Sequence, residues 1–331
     1  MANCFALMGW SLPVIESVQK SGLPYVVVSF PEFGAYAKEH NIPFVGYKLD
    51  EFGSHSNSLE LVELLKPFNA DVAVPLYEET VEWAGALNSI YRDDPRVLNR
   101  AFLFRNKAMM KRKALLGGLK VGLFEEVYDR EHVHKFLDRL NEAELQLPGE
   151  EDAWFHAKPF AAAGTVGHHF IRSRDDIDRK MTVKDFPCLV ESHLSGKEFS
   201  CEAFIHKGKI RFLNITEYVK LGYSNFIPAG PELEAKRELI HNEVQKMVDI
   251  FGIEFGMVHP EWFVSDDGKT INFGEVACRI PGGHILDLCG QAYGFDALLA
   301  FVVSHDPNMS EEELDKYFPP KGYMPEKKYG N

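Results

Sequence analysis

Residues 271–283 read INFGEVACRIPGG. The run is strand-like, yet it holds a glutamate, Glu275, and an arginine, Arg279, before it ends in Pro281-Gly282-Gly283. Side chains on a strand alternate faces, so Glu275, Ala277 and Arg279 share one face. The preceding GMVHPEWFV, 256–264, is a second strand, and the SDDGK between them suits a three-residue hairpin loop with Gly268 in the left-handed position. That register sets His259 opposite Glu275 and Glu261 opposite Phe273. Glu261 and Glu275 then lie diagonally on one face, roughly 7 Å apart at the backbone. Two carboxylates at that range suit a hard cation such as Mg²⁺, which is held by one or two carboxylates plus substrate phosphates. They equally suit a solvent-facing sheet surface, and spacing alone leaves the two readings level.

Working outward, 331 residues imply two or three packed domains. A hydrophobic content of 45% and a charged content of 26% are those of a globular protein. The net charge of −13 argues against general nucleic-acid binding. Five scattered cysteines without a CxxC point to reduced thiols in a cytoplasm. The N-terminus lacks a basic region and is broken early by Gly9 and Pro13, so it is not a signal peptide, and no apolar run reaches membrane-spanning length. Up to about residue 95, strands (3–8, 25–29, 71–75) alternate with helices (12–21, 57–67, 78–90), the pattern of a parallel sheet with helices on its faces. Asp93-Asp94-Pro95 reads as a linker. Helices at 105–117 and 130–141 and a polar loop follow, and then the text turns β-rich through residue 219. A helix at 232–251, the hairpin quoted above and one final helix at 285–303 complete the chain.

Phosphate binders are sought next. Lys158 lies between apolar residues in WFHAKPF, and the small residues 161–167, including Gly164 and Thr165, let backbone N–H groups approach an anion. It is not a Walker loop, and a plain hairpin tip with no ligand is the simpler reading of that loop alone. His168 and His169 are adjacent on a strand and cannot chelate one ion together. Leu189–Glu198, LVESHLSGKE, holds Glu191, suited to accept from an adenine amino group, and Glu198, suited to accept from ribose hydroxyls.

In this order, Lys107, Lys158 with its small-residue loop, Glu191 and Glu198, then Glu261, Glu275 and Arg279 resemble the ATP-grasp superfamily over about residues 100–303. The resemblance implies a Rossmann-like α/β N-terminal domain, 1–95, and an α+β core whose two subdomains, 96–185 and 186–331, clasp ATP. Lys107 and Lys158 match its phosphate-binding lysines, and 161–167 its flexible loop. Glu191 matches its adenine-side glutamate. Ser192 and Leu194 match the hinge positions whose backbone meets adenine, and Glu198 the ribose glutamate. Glu261 and Glu275 match the metal carboxylates, holding one or two Mg²⁺ ions, with Mn²⁺ as a substitute. Arg279 matches the arginine that stabilises the transferring phosphoryl group. Many members carry Asn two residues after the second metal glutamate. Here that residue is Ala277, which leaves the second ion in doubt, and amino-acid ligases of the superfamily often show such a small residue.

The implied activity is an ATP-dependent ligase that activates a carboxylate, most simply that of an amino acid, as an acyl-phosphate and joins it to an amine. An alternative acceptor is the phosphopantetheine thiol of an acyl carrier protein. A second alternative is a non-catalytic nucleotide-binding scaffold, against which the full residue set stands. The expected protein is cytoplasmic, monomeric or homodimeric, and bound to neither nucleic acid nor membrane. Substrate contacts are expected from Gly282, Gly283 and His284, from Lys220 and Tyr223, and from His259, which is equally well read as a hydrogen-bonded core histidine. Glu79 stands with Glu78 and Glu82 at the strand edge where α/β sheets bind ligands, although acidic residues in a first helical turn also simply suit the helix dipole.

Overall fold

Short runs of valine and other apolar residues set the first sheet. Strands β1 (Phe5–Met8), β2 (Tyr25–Ser29), β3 (Phe44–Gly46) and β4 (Val72–Pro75) pair in parallel in the order β3-β2-β1-β4. β1 is buried along its whole length, as a central parallel strand covered on both faces must be. Its alternation divides two cores: Phe5 and Leu7 join Val14, Val18 and Phe301, while Ala6 and Met8 join Val26, Trp83 and Leu87. The structure is a computed structural model, and it describes residues 2–50, 52–53, 55–142, 153–161, 167–220 and 224–330. Gly164, Thr165, Tyr223 and most of the polar loop after residue 142 lie outside the described residues.

The second sheet contains β5 (Phe124–Val127), β6 (Phe155–Lys158), β7 (His169–Ile171) and β8 (Cys188–Ser192), antiparallel in the order β5-β8-β6-β7. Helix Arg130–Glu142 lays Val133, Phe136, Leu137 and Leu140 on it, an i, i+3, i+4, i+7 stripe. β8 follows residue 185, where the sequence suggests a subdomain boundary, yet it belongs to this sheet.

The third sheet has β9 (Lys197–His206), β10 (Lys209–Lys220), β11 (Ser224–Ile227), β12 (Phe255–Val264), β13 (Ile271–Ala277) and β14 (Tyr329–Gly330), in the order β13-β12-β9-β10-β11-β14. By contacts the chain forms a larger unit, 1–104, 199–260 and 276–331, and a smaller unit, 105–198 and 261–275. The boundaries therefore fall inside β9, β12 and β13.

Three expectations about elements need correction. The final helix is two, Ile285–Tyr293 and Ala297–Val303, bent by 107°. Gly294 ends the first at φ +72°, a left-handed conformation that glycine adopts without strain, and the Asp296 side chain caps the second at Leu299 N. The hairpin loop is one residue longer than expected: Ser265 N–H donates to Thr270 O, leaving four residues between, with Gly268 at φ +69°. The Asp93-Asp94-Pro95 linker is no more than the junction of two helices, Val81–Arg92 and Pro95–Arg105. Among the described residues no single helix is long and apolar enough to cross a membrane.

Candidate active site

The charged residues of the smaller unit are placed by one helix and two sheets. Asn106 caps helix Lys107–Leu116 by accepting from Met109 N, and Lys107 N–H donates to Phe160 O at 3.0 Å. Lys107 and Lys111 stand one turn apart on the same helix face. Lys107 Nζ lies 2.6 Å from Glu275 Oε2. Lys111 Nζ donates to Glu191 Oε1, donates to Phe273 O at 3.2 Å and stands 5.6 Å from the centre of the Phe273 ring. Lys158, on β6, reaches the other oxygen of Glu191 at 3.5 Å. Lys111 is 2% and Glu191 4% exposed, so this is a buried ion pair with a third charge at its edge.

Electrostatics ties the remaining carboxylates to the same group. Burial works against the charge of Glu275, but Lys107, Lys158 and Lys111 outweigh it and hold its carboxyl below the usual range. Burial, reinforced by Glu261 and Glu275 and opposed by Lys158, pushes Glu198 up to about 8. Lys158 is driven down by burial but raised on balance by Glu191, Glu275 and Glu261. Glu261 and Glu275 thus act on the same two groups, Lys158 and Glu198, although the hairpin turns one residue later than expected. The expectation that Glu191 accepts from adenine meets a different neighbourhood: both of its oxygens face lysine ammoniums. Ser192 is also occupied, its N–H donating to Leu123 O and its Oγ accepting from Leu123 N–H. Leu194 packs beside Gly122, where an added Cβ would sit 3.1 Å from its Cδ2.

Among the described residues no three His, Cys, Asp or Glu side chains gather where a metal ion could sit.

Beside Lys158 on the same face of β6, His156 joins two other imidazoles, His168 at 2.9 Å and His193 at 3.1 Å. Burial and then the Lys158 charge hold His156 far below its ordinary value and His168 down to about 4, so both rings are neutral.

The larger unit holds the other candidates. Arg279 Nε donates to Glu78 Oε2 at 3.0 Å, and its Nη1 donates to Ile280 O. Glu79 is exposed in the short turn that leads into helix Val81–Arg92, and Lys220 is exposed at the end of β10. His259 is a core histidine, 6% exposed, with Nδ1 3.0 Å from Glu202 Oε1. Glu202, itself fully buried, also accepts from Ser200, Asn214 and Thr216. Gly283 takes φ +63°, and His284 follows at φ +54° with its exposed ring 3.1 Å from Asp287 Oδ2. The reading from sequence missed Lys111, the histidine chain, the Glu202 network and the Glu78 partner of Arg279. The i, i+4 spacing of Lys107 and Lys111 and the alternating polar residues Ser200/Glu202 and Asn214/Thr216 in apolar strands were the available signals.

No family model and no curated protein sequence matches the chain. Solved structures do. The chain has the fold of the ATP-grasp ligases, mixed α/β with several sheets. It is similar to the L-amino acid ligase of Bacillus licheniformis at TM-score 0.73 and 18% identity, over 99% of this chain and 78% of that one. It is also similar to N5-carboxyaminoimidazole synthase of Aspergillus clavatus, solved with ADP and aminoimidazole ribonucleotide, at TM-score 0.69 and 17% identity, over 94% and 78%. A third is the biotin carboxylase domain of Hydrogenobacter thermophilus 2-oxoglutarate carboxylase, solved with MgADP and bicarbonate, at TM-score 0.66 and 16% identity, over 95% and 72%.

Proposed function

We propose that the protein is an ATP-dependent, ADP-forming ligase that joins a carboxylate, that of an amino acid, to an amine. The observation that carries this is the concentration of Lys107, Lys111, Lys158, Glu191, Glu198, Glu261 and Glu275 in one unit of a fold shared with ligases. The lysines already pair with Glu191 and Glu275, so what supports catalysis over a bare scaffold is their gathering with Glu198 and Glu261 in that fold. The reaction runs in two displacements. A carboxylate oxygen attacks the γ-phosphorus, the bond to the β-phosphate oxygen breaks, and ADP leaves. The amine nitrogen then attacks the acyl carbon, phosphate leaves, and the nitrogen gives up a proton. In this reading Lys107 and Lys158 bind phosphate oxygens, and Glu198 takes the ribose hydroxyls. Arg279 meets the charge that develops on the phosphoryl group, where preorganised donors contribute most. Glu261 and Glu275 would hold Mg²⁺, which when bound neutralises phosphate charge. The division into an N-terminal domain and two ATP-clasping subdomains belongs to the same reading. Nothing in the site favours a carrier-protein thiol over an amine.

The test is product analysis with a panel of amino acids. ADP and phosphate, released in step with amide formation, are expected. AMP and pyrophosphate as the stoichiometric products would replace the acyl-phosphate with an adenylate. Lys158→Ala should weaken ATP binding in calorimetry and abolish turnover, because the phosphates lose a charge-assisted partner; unchanged ATP affinity would remove Lys158 from the site.

A further inference from the structure

The larger unit holds a half-open pocket of about 100 Å³ that shares no residue with the charged cluster. Much of its lining is apolar, with Val81, Ala84, Ala101 and Phe104 among the residues that form it. Its charged residues are Arg92, Arg100 and Glu254. Arg92 donates from Nη2 to His305 O at 3.1 Å and lies 5.7 Å from the centre of the Phe255 ring. Its Nε–H is buried and finds no acceptor among the described residues. Arg100 has Glu254 at 3.4 Å, but that carboxylate is 47% exposed. Burial, and then the charge of Arg100, works against the Arg92 cation. His305 adds no charge, since burial takes it down to about 4. The charges of Glu254, Asp306 and Asp94 favour the Arg92 cation, yet none of them accepts from its Nε–H, so a buried donor is left over. Buried unsatisfied donors in native structures call for a partner, commonly an ion or water.

We propose that this cavity binds a small organic anion, a short-chain monocarboxylate. Its carboxylate takes the free Nε–H of Arg92 and the guanidinium of Arg100, a geometry for which arginine is well made. Its alkyl end lies against Val81, Ala101 and Phe104. Size sets the class: a 150 Å³ apolar cavity accommodates benzene, so about 100 Å³ takes roughly four to five heavy atoms, the range of acetate and propionate. Inorganic phosphate matches the charge but leaves the apolar lining uncovered. The cavity also lies close along the chain to Arg279: Cys278 lines it, and Pro75 and Val81 bracket Glu78, the partner of Arg279.

Calorimetric titration with propionate, inorganic phosphate and benzoate tests this on the intact chain. Saturable binding of propionate at millimolar concentration is expected, with phosphate and benzoate each at least tenfold weaker. Arg100→Gln should weaken propionate about tenfold or more, the loss of one hydrogen bond to a charged group. Glu254→Gln removes the half-exposed carboxylate that pairs with Arg100, and should tighten propionate several-fold. Absence of saturable propionate heat, phosphate or benzoate binding as tight as propionate, or an unchanged affinity in Glu254→Gln would each overturn the proposal.

Discussion

Replacing Lys111 by Met keeps the length of the side chain and removes only its charge. The structure sets the size of the effect. Lys111 and Glu191 are almost wholly buried, and among the described residues Glu191 keeps Lys158 alone, at 3.5 Å, once the Lys111 ammonium is gone. Breaking a buried ion pair by removing one partner costs about 3–5 kcal/mol. Lys158 compensates in part, which places the ion-pair loss near the lower end. The hydrogen bond to Phe273 O is lost as well, adding about 1 kcal/mol. The expected destabilisation is therefore about 4 kcal/mol. Urea unfolding followed by circular dichroism reads it as a lower midpoint at constant slope. The decisive comparison is Lys111→Met combined with Glu191→Gln. With both charges gone no buried carboxylate is stranded, so the double variant should recover about 2 kcal/mol relative to the sum of the singles. If Lys111→Met cost less than about 1 kcal/mol, or if the two changes simply added, the pair would not be coupled through burial and the reasoning would fail.

Glu198 makes a prediction about pH. Its folded form keeps a proton up to about 8, while the unfolded chain releases it near 4.5. Its stability contribution is therefore complete below the lower value and is lost as pH rises toward the upper one. Glu198→Gln should flatten that decline in unfolding free energy measured across the interval, and an unchanged slope would remove Glu198 as its source. For the proposed reaction, Glu275→Gln should lose turnover that raised Mg²⁺ partly restores, by mass action at a weakened site. Arg279→Met should lose turnover by several orders of magnitude with ATP affinity nearly intact, and Mg²⁺ should not rescue it, as steady-state rates and calorimetry will show. Gly294→Ala meets no neighbour within 4 Å but must hold φ +72°, so a loss of about 1 kcal/mol in urea unfolding is expected.

The elements most legible in the sequence are those with one uniform environment. β1, β2 and β4 are continuous apolar runs because both of their faces are covered, and helix Leu12–Ser21 announces itself with Pro13 at its start and Gly22 at its end. β5 was missed because FEEV is half acidic, its Glu125 and Glu126 being matched by Arg139 and Arg112 at a distance in sequence. β3, three residues long, carries too little pattern to be seen. The final helix misled because its apolar periodicity runs through 294–296, and only the left-handed Gly294 and the Asp296 cap break it. In the charged cluster, Lys107, Lys158, Glu198, Glu261 and Glu275 were legible by type and order. Lys111 was hidden because a lysine on a helix is ordinarily solvated, and nothing local says that Glu191, 80 residues away, will bury it. His259 was an open choice from sequence, since its partner Glu202 comes from a strand 57 positions back.

The smaller unit is built from two separate stretches, 105–198 and 261–275, and this governs how the gene can be cut. The shortest continuous piece that encodes Lys107 through Glu275 must also encode 199–260, which belongs to the larger unit. Such a piece would carry Phe204, Phe212 and Met257 without helices Ile285–Tyr293 and Ala297–Val303, whose Ile285, Cys289 and Phe301 share their core. An uncovered apolar sheet face of that kind drives aggregation rather than folding. The charged cluster therefore cannot be shuffled between proteins as a linear cassette. It travels only with the greater part of the chain, and a truncation that removes 276–331 should yield insoluble protein rather than a minimal nucleotide-binding module.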